Sequence, residues 1–321
     1  MRIGINPEKQ KSVKLLYKYH RVIIPVFIPE TDNKYYQEAA SVFKNCLESL
    51  IKTVDLNNTA ISILNNNSNP EIENLIEYYY DEKIIDKYVK FSENKGKVYA
   101  ILQEARASYE NFITIADADV FFYNDWQLET HKVFKKFKNV GVVGLTPDPN
   151  LAFYCNNSLF CSQIFHVKKG KVVDDFDLEL FEKSIGNNHF FKTEKKDWKK
   201  NQYYLEKGNM QVVVGANHFA STYRREIFSK LPFDKPIHVF PGGELKYLDI
   251  PIDKLGYHRV SLLKAYAYHM GNTIDQNVNL KNLRKNILHD SKNKYSKKKV
   301  SFVPYLVKGF FVGIIRKLSL I

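Results

Sequence analysis

Short apolar runs alternate with helix-like segments along the first part of the chain. The apolar runs are rich in β-branched and aromatic residues, as buried strands are. They cover residues 21–28, 60–64, 89–91, 112–116 and 140–145. Between them, apolar residues recur three or four positions apart, which predicts helices at 34–52, 70–80, 97–108 and 125–137. Because strands and helices alternate, we expect a Rossmann-like, doubly wound, mostly parallel α/β sheet flanked by helices.

The pattern is less regular beyond residue 145. Residues 146–210 show no clear period and predict an irregular insertion with long loops. The later elements are predicted as a strand at 211–216, helices at 223–230 and 244–255, and a strand-like stretch at 258–268. Gly256 follows the second of these helices and is suited to end it.

The net charge of +13 is concentrated at one end of the chain. Residues 281–321 hold 11 Lys or Arg and one acid, whereas the other 280 residues hold 37 Lys or Arg and 34 acids. A nearly neutral body argues against a uniformly basic surface, so no nucleic-acid partner is expected.

Three cysteines without a CxxC pair predict reduced thiols in a cytoplasmic protein, and the first residues lack an apolar stretch of signal-peptide length.

Two carboxylates, Asp117 and Asp119, directly follow the apolar run at 112–116. Open α/β sheets bind their ligands at the carboxyl ends of the strands. Hard oxygen ligands suit Mg²⁺ or Mn²⁺, and these ions suit a diphosphate, although turn chemistry alone would also favour aspartates here. A second Asp-x-Asp, Asp175 and Asp177, opens a helical pattern, so helix capping is its predicted role.

Several short segments occur in the order found in one family of enzymes. They are residues 24–27, 65–68, 93–97, 117–119, 215–219, 244–256 and 268–272. Over about residues 20–275 the chain resembles nucleotide-sugar-dependent glycosyltransferases with the A-type fold, most like family 2. The resemblance implies a glycosyltransferase A-type catalytic domain at 1–280, followed by a basic amphipathic extension at 281–321.

The resemblance also implies a role for each matching residue. The implied nucleotide contacts are Pro25, Phe27, Asn65, Asn66, Lys95, Lys97 and Asp117. Asp117, Asp119 and His269 are the implied ligands of Mn²⁺ or Mg²⁺, and a structural role for His269 stays open. His218 and Phe219 are implied to lie near the acceptor and the donor sugar, with a core role for Phe219 also open.

The implied reaction is an inverting transfer of a hexosyl or N-acetylhexosaminyl group from a nucleotide-diphosphate donor to a hydroxyl acceptor. One carboxylate must deprotonate that hydroxyl, and the metal stabilises charge on the departing diphosphate. Asp249 or Glu244 is the expected base. The alternatives are a helix-start position for Glu244 and a solvated face or structural salt bridge for Asp249.

The chain departs from the family pattern at three places. Asn65-Asn66 stands where an Asp-Asp pair is common, residues 100–102 lack the usual Arg, and Leu245 follows Glu244 in place of Asp. A UDP-sugar is favoured as donor because Asn can still bond a uracil or ribose edge, and Lys95 or Lys97 can supply the missing positive charge.

These departures also favour a second hypothesis, a non-catalytic sugar-nucleotide-binding or partner subunit of a glycosyltransferase complex. A nucleotidyltransferase is the least favoured of the three hypotheses. It would need a Gly-rich loop after the first strand, and residues 29–34 contain no glycine.

The end of the chain predicts an amphipathic helix. Between residues 300 and 318, one helical side carries Val303, Leu306, Val307, Phe310, Phe311, Ile314 and Leu318. Lys308 makes the apolar stretch too short to span a bilayer. A basic amphipathic helix is expected to lie on an anionic membrane, here the inner face of the cell membrane, and packing on the body is the alternative. A glycan or lipid-linked acceptor, in assembly of a surface polysaccharide or glycolipid, would suit that location.

Overall fold

One ten-stranded sheet organises the part of the chain that the structure describes. This computed structural model describes residues 4–10, 12, 16–194, 196–232, 234, 236, 242–285 and 303–317. The strands are β1 His20–Val26, β2 Thr59–Asn65, β3 Lys87–Lys90, β4 Phe112–Ala116, β5 Val120–Phe122, β6 Val140–Gly144, β7 Val167–Gly170, β8 Gln202–Lys207, β9 Met210–Val214, β10 Ala220–Arg224, β11 His258–Ser261 and β12 Ala267–His269. Their order in the sheet is β3-β2-β1-β4-β10-β6-β11-β9-β8-β7, and β5 pairs with β12 in a separate ribbon.

The sheet has a parallel half and a mixed half. Neighbouring strands among β3, β2, β1 and β4 run parallel, and every residue of β2 and β4 is buried. Burial on both faces explains why these strands are nearly continuous apolar runs in the sequence. Antiparallel β10 then separates β4 from β6, and β11 lies parallel to β6. The predicted doubly wound, mostly parallel sheet is confirmed, with all antiparallel pairings at or beyond β10.

Helices cover both faces of this sheet. They are α1 Ala39–Thr53, α2 Pro70–Asp81, α3 Lys97–Ala107, α4 Trp126–Lys136, α5 Asn157–Gln163, α6 Asp175–Ser184, α7 Ile250–Lys254 and α8 Tyr305–Lys317, with a π-helical turn, Leu245–Asp249, leading into α7. Alternate residues of β1 enter two separate apolar clusters: Val22 packs in the cluster with α1, α2 and α4, and Ile23 in the cluster with α3 and α7. The predicted first helix begins later than expected because Lys34–Tyr36 form a 3-10 turn.

Two predictions for the second half were wrong. Residues 146–210 are not irregular, since they contain α5, β7, α6 and β8. Buried polar residues hide the pattern there; the Gln202 side-chain oxygen, for example, accepts from the backbone N–H groups of Val172 and Val173, each at 2.8 Å. Residues 223–230 are also not a helix, because they begin with the end of β10 and continue as a 3-10 turn.

Strand β10 was not predicted either, because polar residues interrupt its apolar pattern. All five of its residues are buried, although several are polar. Thr222 bonds Thr114 across the sheet with 2.6 Å between the hydroxyl oxygens, and Arg224 donates to the carbonyls of Val140 and Phe134. A strand whose polar side chains are satisfied internally carries no apolar signature in the sequence.

The C-terminal helix α8 packs on the body with one side only. Lys308 is buried and its Nζ donates to Ser158 Oγ on α5 at 3.1 Å, and Val312 and Ile315 are buried beside it. The opposite side exposes its apolar residues, namely Leu306, Val307, Phe310, Phe311 and Ile314. Residues 286–302 and 318–321 of the predicted extension lie outside the described residues. Among the described helices, none is both long and apolar enough to cross a membrane.

Candidate active site

The Asp117–Asp119 turn is held in place by backbone bonds from two distant segments. The N–H of Asp117 donates to the carbonyl of Phe219 at 2.8 Å, and the N–H of Met270 donates to the carbonyl of Asp119 at 2.8 Å. Because β5 and β12 are antiparallel, His269 lies opposite Val120. His269 Nε2 is therefore 3.3 Å from Asp119 Oδ2, and the structure brings these two implied metal ligands together.

The Asp119 carboxylate is incompletely satisfied. Burial raises its pKa to about 6, with His269 opposing the rise and Asp117 adding to it. Among the described residues, neither Asp119 Oδ1 nor His269 Nδ1 has a hydrogen-bond partner, although both atoms are buried. Such atoms are costly unless an ion or ligand satisfies them.

These side chains fit a divalent cation only in part. No group of three or more His, Cys, Asp or Glu residues in the described chain is arranged to hold a metal alone. Mg²⁺ is usually bound by one or two carboxylates together with substrate phosphates and water, which is the donor set that Asp119 and Asp117 could complete. The residues present thus suit a metal that arrives with, or is completed by, a diphosphate.

Lys97 stands between two carboxylates at the first turn of α3. Its Nζ lies 2.5 Å from Asp117 Oδ1 and 3.5 Å from Glu244 Oε1. Burial alone would lower the pKa of Lys97, but Asp117 and Glu244 outweigh it and hold the pKa above its ordinary value. The lysine is therefore cationic, and it lies at a helix N-terminus, where backbone N–H groups also favour anions.

A cavity of about 350 Å³ opens beside these groups at the carboxyl ends of β1, β2 and β4. Its lining is Pro25, Val26, Phe27, Ile28, Tyr35, Tyr36, Ala39, Val42, Asn66, Asn94, Gly96, Lys97, Asp117, Ala118, Asp119, Gly271 and Asn272. The lining combines apolar and aromatic side chains with the charged groups of Lys97, Asp117 and Asp119. That combination fits a nucleoside joined to a diphosphate.

Asn94, which the sequence analysis did not select, fixes the loop over this cavity. Its Oδ1 accepts from Asn66 Nδ2 at 2.9 Å and from the N–H of Gly96 at 2.8 Å. Asn66 Oδ1 in turn accepts from the N–H of Lys95 at 2.8 Å. Gly96 has a φ of 83°, a conformation that favours glycine. The Asn-x-Gly sequence just before a helix was the available signal.

Five of the seven implied nucleotide contacts line the cavity, and two do not. Asn65 is wholly buried; its Nδ2 donates to Tyr88 Oη at 3.1 Å and its Oδ1 accepts from the N–H of Ser68 at 2.7 Å. The Lys95 side chain points to solvent and pairs with Glu93. Asn65 thus holds the turn after β2, and Lys97 is the lysine placed to meet an anion.

The Asp249 carboxylate is wholly buried and is held by partners from the protein. It is 0% exposed and accepts hydrogen bonds from Arg259, from His218 at 2.6 Å and from Tyr154 Oη at 2.9 Å. Burial would raise the pKa of Asp249, but Arg259 and His218 hold it below its ordinary value. The structural salt bridge, held open as an alternative, is what the structure contains. Glu244 keeps 23% of its side chain exposed.

Arg259 and Tyr154 were missed in the sequence. Arg259 is in β11, where all four residues are buried, and its Nη2 also donates to the carbonyl of Ala216 at 2.9 Å. An arginine inside a strand-like stretch signals a buried anion, because a buried charge needs a partner. Tyr154 lies in the segment without a clear period, so no pattern pointed to it.

The second Asp-x-Asp has a structural role of another kind. Asp175 and Asp177 fall in the first turn of α6, one or more residues past its N-cap. Asp177 Oδ1 accepts from the N–H of Ala265 at 2.7 Å, and Asp175 pairs with Lys171. These aspartates therefore fasten a loop and a helix start, and Asp174 occupies the capping position predicted for them.

Comparison with known proteins gives one family and several distant structures. The model of glycosyl transferase family 2 matches residues 34–231, which is more than half of the chain. A search of curated proteins gives no match. Among solved structures, S. aureus TarS 1-349 is 13% identical, with a TM-score of 0.44 over 78% of this chain and 60% of that one. The mannosyltransferase PcManGT from Pyrobaculum calidifontis, in complex with GDP-Man and Mn²⁺, is 13% identical, with a TM-score of 0.44 over 77% and 55%.

A third structure, S. aureus TarS 1-349 in complex with UDP-GlcNAc, is 14% identical, with a TM-score of 0.43 over 81% of this chain and 62% of that one. The chain thus spans less than two thirds of the length of each of these proteins. At such scores the structural likeness carries no weight for activity. The family model does carry weight, because it covers β2, β4, the Asp117–Asp119 turn and β10 together. The chain belongs to glycosyl transferase family 2, as the order of its sequence motifs predicted.

Proposed function

We propose that this protein is a metal-dependent, inverting glycosyltransferase that moves a sugar from a nucleotide-diphosphate donor to a hydroxyl acceptor. The observation that carries the proposal is the partnerless buried oxygen of Asp119, next to His269 and to the cationic Lys97, at the charged end of the cavity. Aromatic side chains and a cation lining one cavity match the base and the diphosphate of a nucleotide sugar.

Each end of the cavity has a task in this proposal. Phe27 and the neighbouring tyrosines receive the base, and the buried Asn66, bonded through its side chain to Asn94 and to the N–H of Lys95, holds the loop beside it. Lys97 and the first turn of α3 receive the diphosphate, and Lys97 supplies the charge of the missing family arginine. Asp117, Asp119 and His269 would hold Mn²⁺ or Mg²⁺, which when bound offsets charge on the departing diphosphate.

Transfer also needs a base at the acceptor side. Of the two carboxylates predicted for it, Asp249 is wholly buried, and Glu244, at the start of the π-helical turn, is partly exposed. Glu244 is linked to the donor end through its salt bridge with Lys97.

Thermal stabilisation by ligands tests the donor site. We expect UDP, UDP-GlcNAc or UDP-glucose with Mn²⁺ to raise the melting temperature, as binding to the folded state must. EDTA or Asp119→Ala should abolish the metal-dependent part and the hydrolysis of the donor. Asp177→Ala, in the second Asp-x-Asp, is the matched control and should change neither. Donor hydrolysis by Asp119→Ala at the wild-type rate would refute the metal site. Binding of the donor without transfer to any acceptor would favour the non-catalytic subunit.

The basic end of the chain, residues 281–321, forms the membrane-facing part of the proposal. The exposed side of α8 carries large apolar residues, with Leu306 86% and Phe310 74% exposed, and Arg316 and Lys317 follow in its last turn. That surface suits an anionic bilayer, which would also present a lipid-linked acceptor in surface polysaccharide or glycolipid assembly.

Liposome sedimentation tests this part. The full chain should bind vesicles of phosphatidylglycerol and phosphatidylcholine, and Leu306→Glu with Phe310→Glu should release it, because both side chains are exposed and their loss leaves the packed side of α8 intact. Truncation after residue 280 should do the same. Unchanged binding by both variants would refute membrane contact through α8.

A further inference from the structure

A histidine, His218, connects the buried Asp249 to the outside of the protein. His218 Nε2 lies 2.6 Å from Asp249 Oδ2, and 27% of its side chain is exposed, whereas Asp249 is wholly buried. Asp249 is fixed in turn by Arg259 and by the hydroxyl of Tyr154. The carboxylate therefore cannot meet a substrate, but it can hold a side chain that does.

His218 directly precedes Phe219, which contacts two residues of the proposed donor site. The carbonyl of the next residue, Phe219, accepts from the N–H of Asp117, and the Phe219 ring packs edge-on against His269 with 5.4 Å between ring centroids. Asp117 is joined to Glu244 through Lys97, whose Nζ lies 2.5 Å from Asp117 Oδ1 and 3.5 Å from Glu244 Oε1.

The partners of His218 decide which of its nitrogens is basic. Asp249 is ionised and can only accept, so Nε2 carries the proton that is shared with it. Nδ1 then presents a lone pair, and no hydrogen-bond partner of Nδ1 occurs among the described residues. The charged and titratable groups around the ring are Asp249, Arg259 and Tyr154. A carboxylate that fixes the tautomer of a histidine is a recurrent way to prepare a base.

We propose that His218, positioned by Asp249, is the catalytic base that receives the acceptor's proton. This rests on the proposed function. As the acceptor oxygen bonds the anomeric carbon, its proton passes to Nδ1, and the bond from that carbon to the diphosphate breaks with its electron pair on the diphosphate. Asp249 is a positioning residue that stabilises the resulting imidazolium, and Glu244 acts on the donor side, through Lys97.

Transfer to water gives a test that needs no known acceptor. Wild type, His218→Gln and Glu244→Gln are compared for Mn²⁺-dependent hydrolysis of UDP-GlcNAc, UDP-glucose and GDP-mannose, with UDP affinity measured in parallel. We expect His218→Gln to lower kcat by about 10²–10⁴-fold at unchanged UDP affinity, which is the usual range for a lost base. A rate within threefold of wild type in His218→Gln, or a comparable loss of kcat found only in Glu244→Gln, would overturn the assignment.

The tautomer of His218 is a second readout that does not depend on turnover. In protein with ¹⁵N-labelled histidine, NMR should show the Nε2–H tautomer in wild type and a mixture in Asp249→Asn, whose amide can donate as well as accept. A wild-type Nδ1–H tautomer would refute the base role. Absence of turnover in wild type together with the Nε2–H tautomer would instead count against the proposed transfer reaction and leave the positioning by Asp249 intact.

Discussion

The groups around Asp119 and Asp249 each pair an aspartate with a histidine, yet their remaining contacts differ completely. Asp249 has Arg259, Tyr154 and His218 around its two oxygens. Asp119 has His269 on one oxygen and no described partner on the other. Both oxygens of Asp249 have partners within the protein. One oxygen of Asp119 would gain a partner only from a bound ion or ligand.

This difference separates stability from function. A buried ion pair is costly to break, because removing one partner leaves an uncompensated charge. A carboxylate that lacks partners already carries that cost, so removing its charge should relieve the folded state. Changes at the two groups should therefore move the free energy of unfolding in opposite directions.

The largest effect is expected from Arg259→Met, which leaves the Asp249 carboxylate buried without its cation. We expect the free energy of unfolding, from urea denaturation, to fall by about 3–5 kcal/mol. The double variant Asp249→Leu with Arg259→Met removes both charges and should recover much of the loss. A loss below about 1 kcal/mol in Arg259→Met would show that the pair is not the buried anchor described here.

Asp119→Asn should give the converse result. Donor hydrolysis is expected to fall at least 100-fold, about 3 kcal/mol in activation free energy, because the charge that holds the metal is lost. The free energy of unfolding should stay the same or rise by about 1 kcal/mol. A stability loss comparable with that of Arg259→Met would contradict the contrast between the two groups.

A third buried group, the histidine pair His20 and His131, extends the comparison to pH. Their ring nitrogens lie 2.8 Å apart, and His20 also contacts Thr114 Oγ1 at 2.7 Å. Burial, with His131 adding to it, lowers the pKa of His20 well below 6.5, and burial lowers the pKa of His131 to about 3.

Both histidines are therefore neutral when folded and take up protons only on unfolding, once the pH falls below about 6.5. The two groups together should cost about 2 kcal/mol of stability between pH 6.5 and 5.5, and nothing above pH 7.5. Urea denaturation across this range measures the slope. Other groups titrate in this range as well, so wild type is compared with His131→Gln. The dependence of the unfolding free energy on pH should be about half as steep in His131→Gln as in wild type. Equal dependences in the two proteins would contradict a neutral histidine pair.

The smallest effect is expected at the second Asp-x-Asp. Asp177→Asn keeps a side-chain oxygen for the N–H of Ala265, so the free energy of unfolding should fall by less than about 1 kcal/mol. Donor hydrolysis should stay within twofold of wild type. A larger loss of hydrolysis would show that this motif, too, belongs to the donor site.

The sequence predicted the parallel half of the sheet to within one or two residues, because strands buried on both faces are apolar throughout. It predicted Asp117 and Asp119 because carboxylates at a strand end stand out against such a run. Asp249 lies between the apolar Leu248 and Ile250 in the sequence, and it is wholly buried next to Leu248, which packs in the core. Its partners, Tyr154, His218 and Arg259, come from three distant segments that no spacing connects.

The ribbon of β5 and β12 has a consequence for synthesis of the protein. His269 comes 150 residues after Asp119, and their contact depends on the pairing of these two short strands. While the chain is being translated, β1 to β4 and the Asp117–Asp119 turn leave the ribosome long before β12 does. Chains interrupted before residue 267 contain every strand of the parallel half but lack His269, so a truncated product would lack one residue of the proposed metal set.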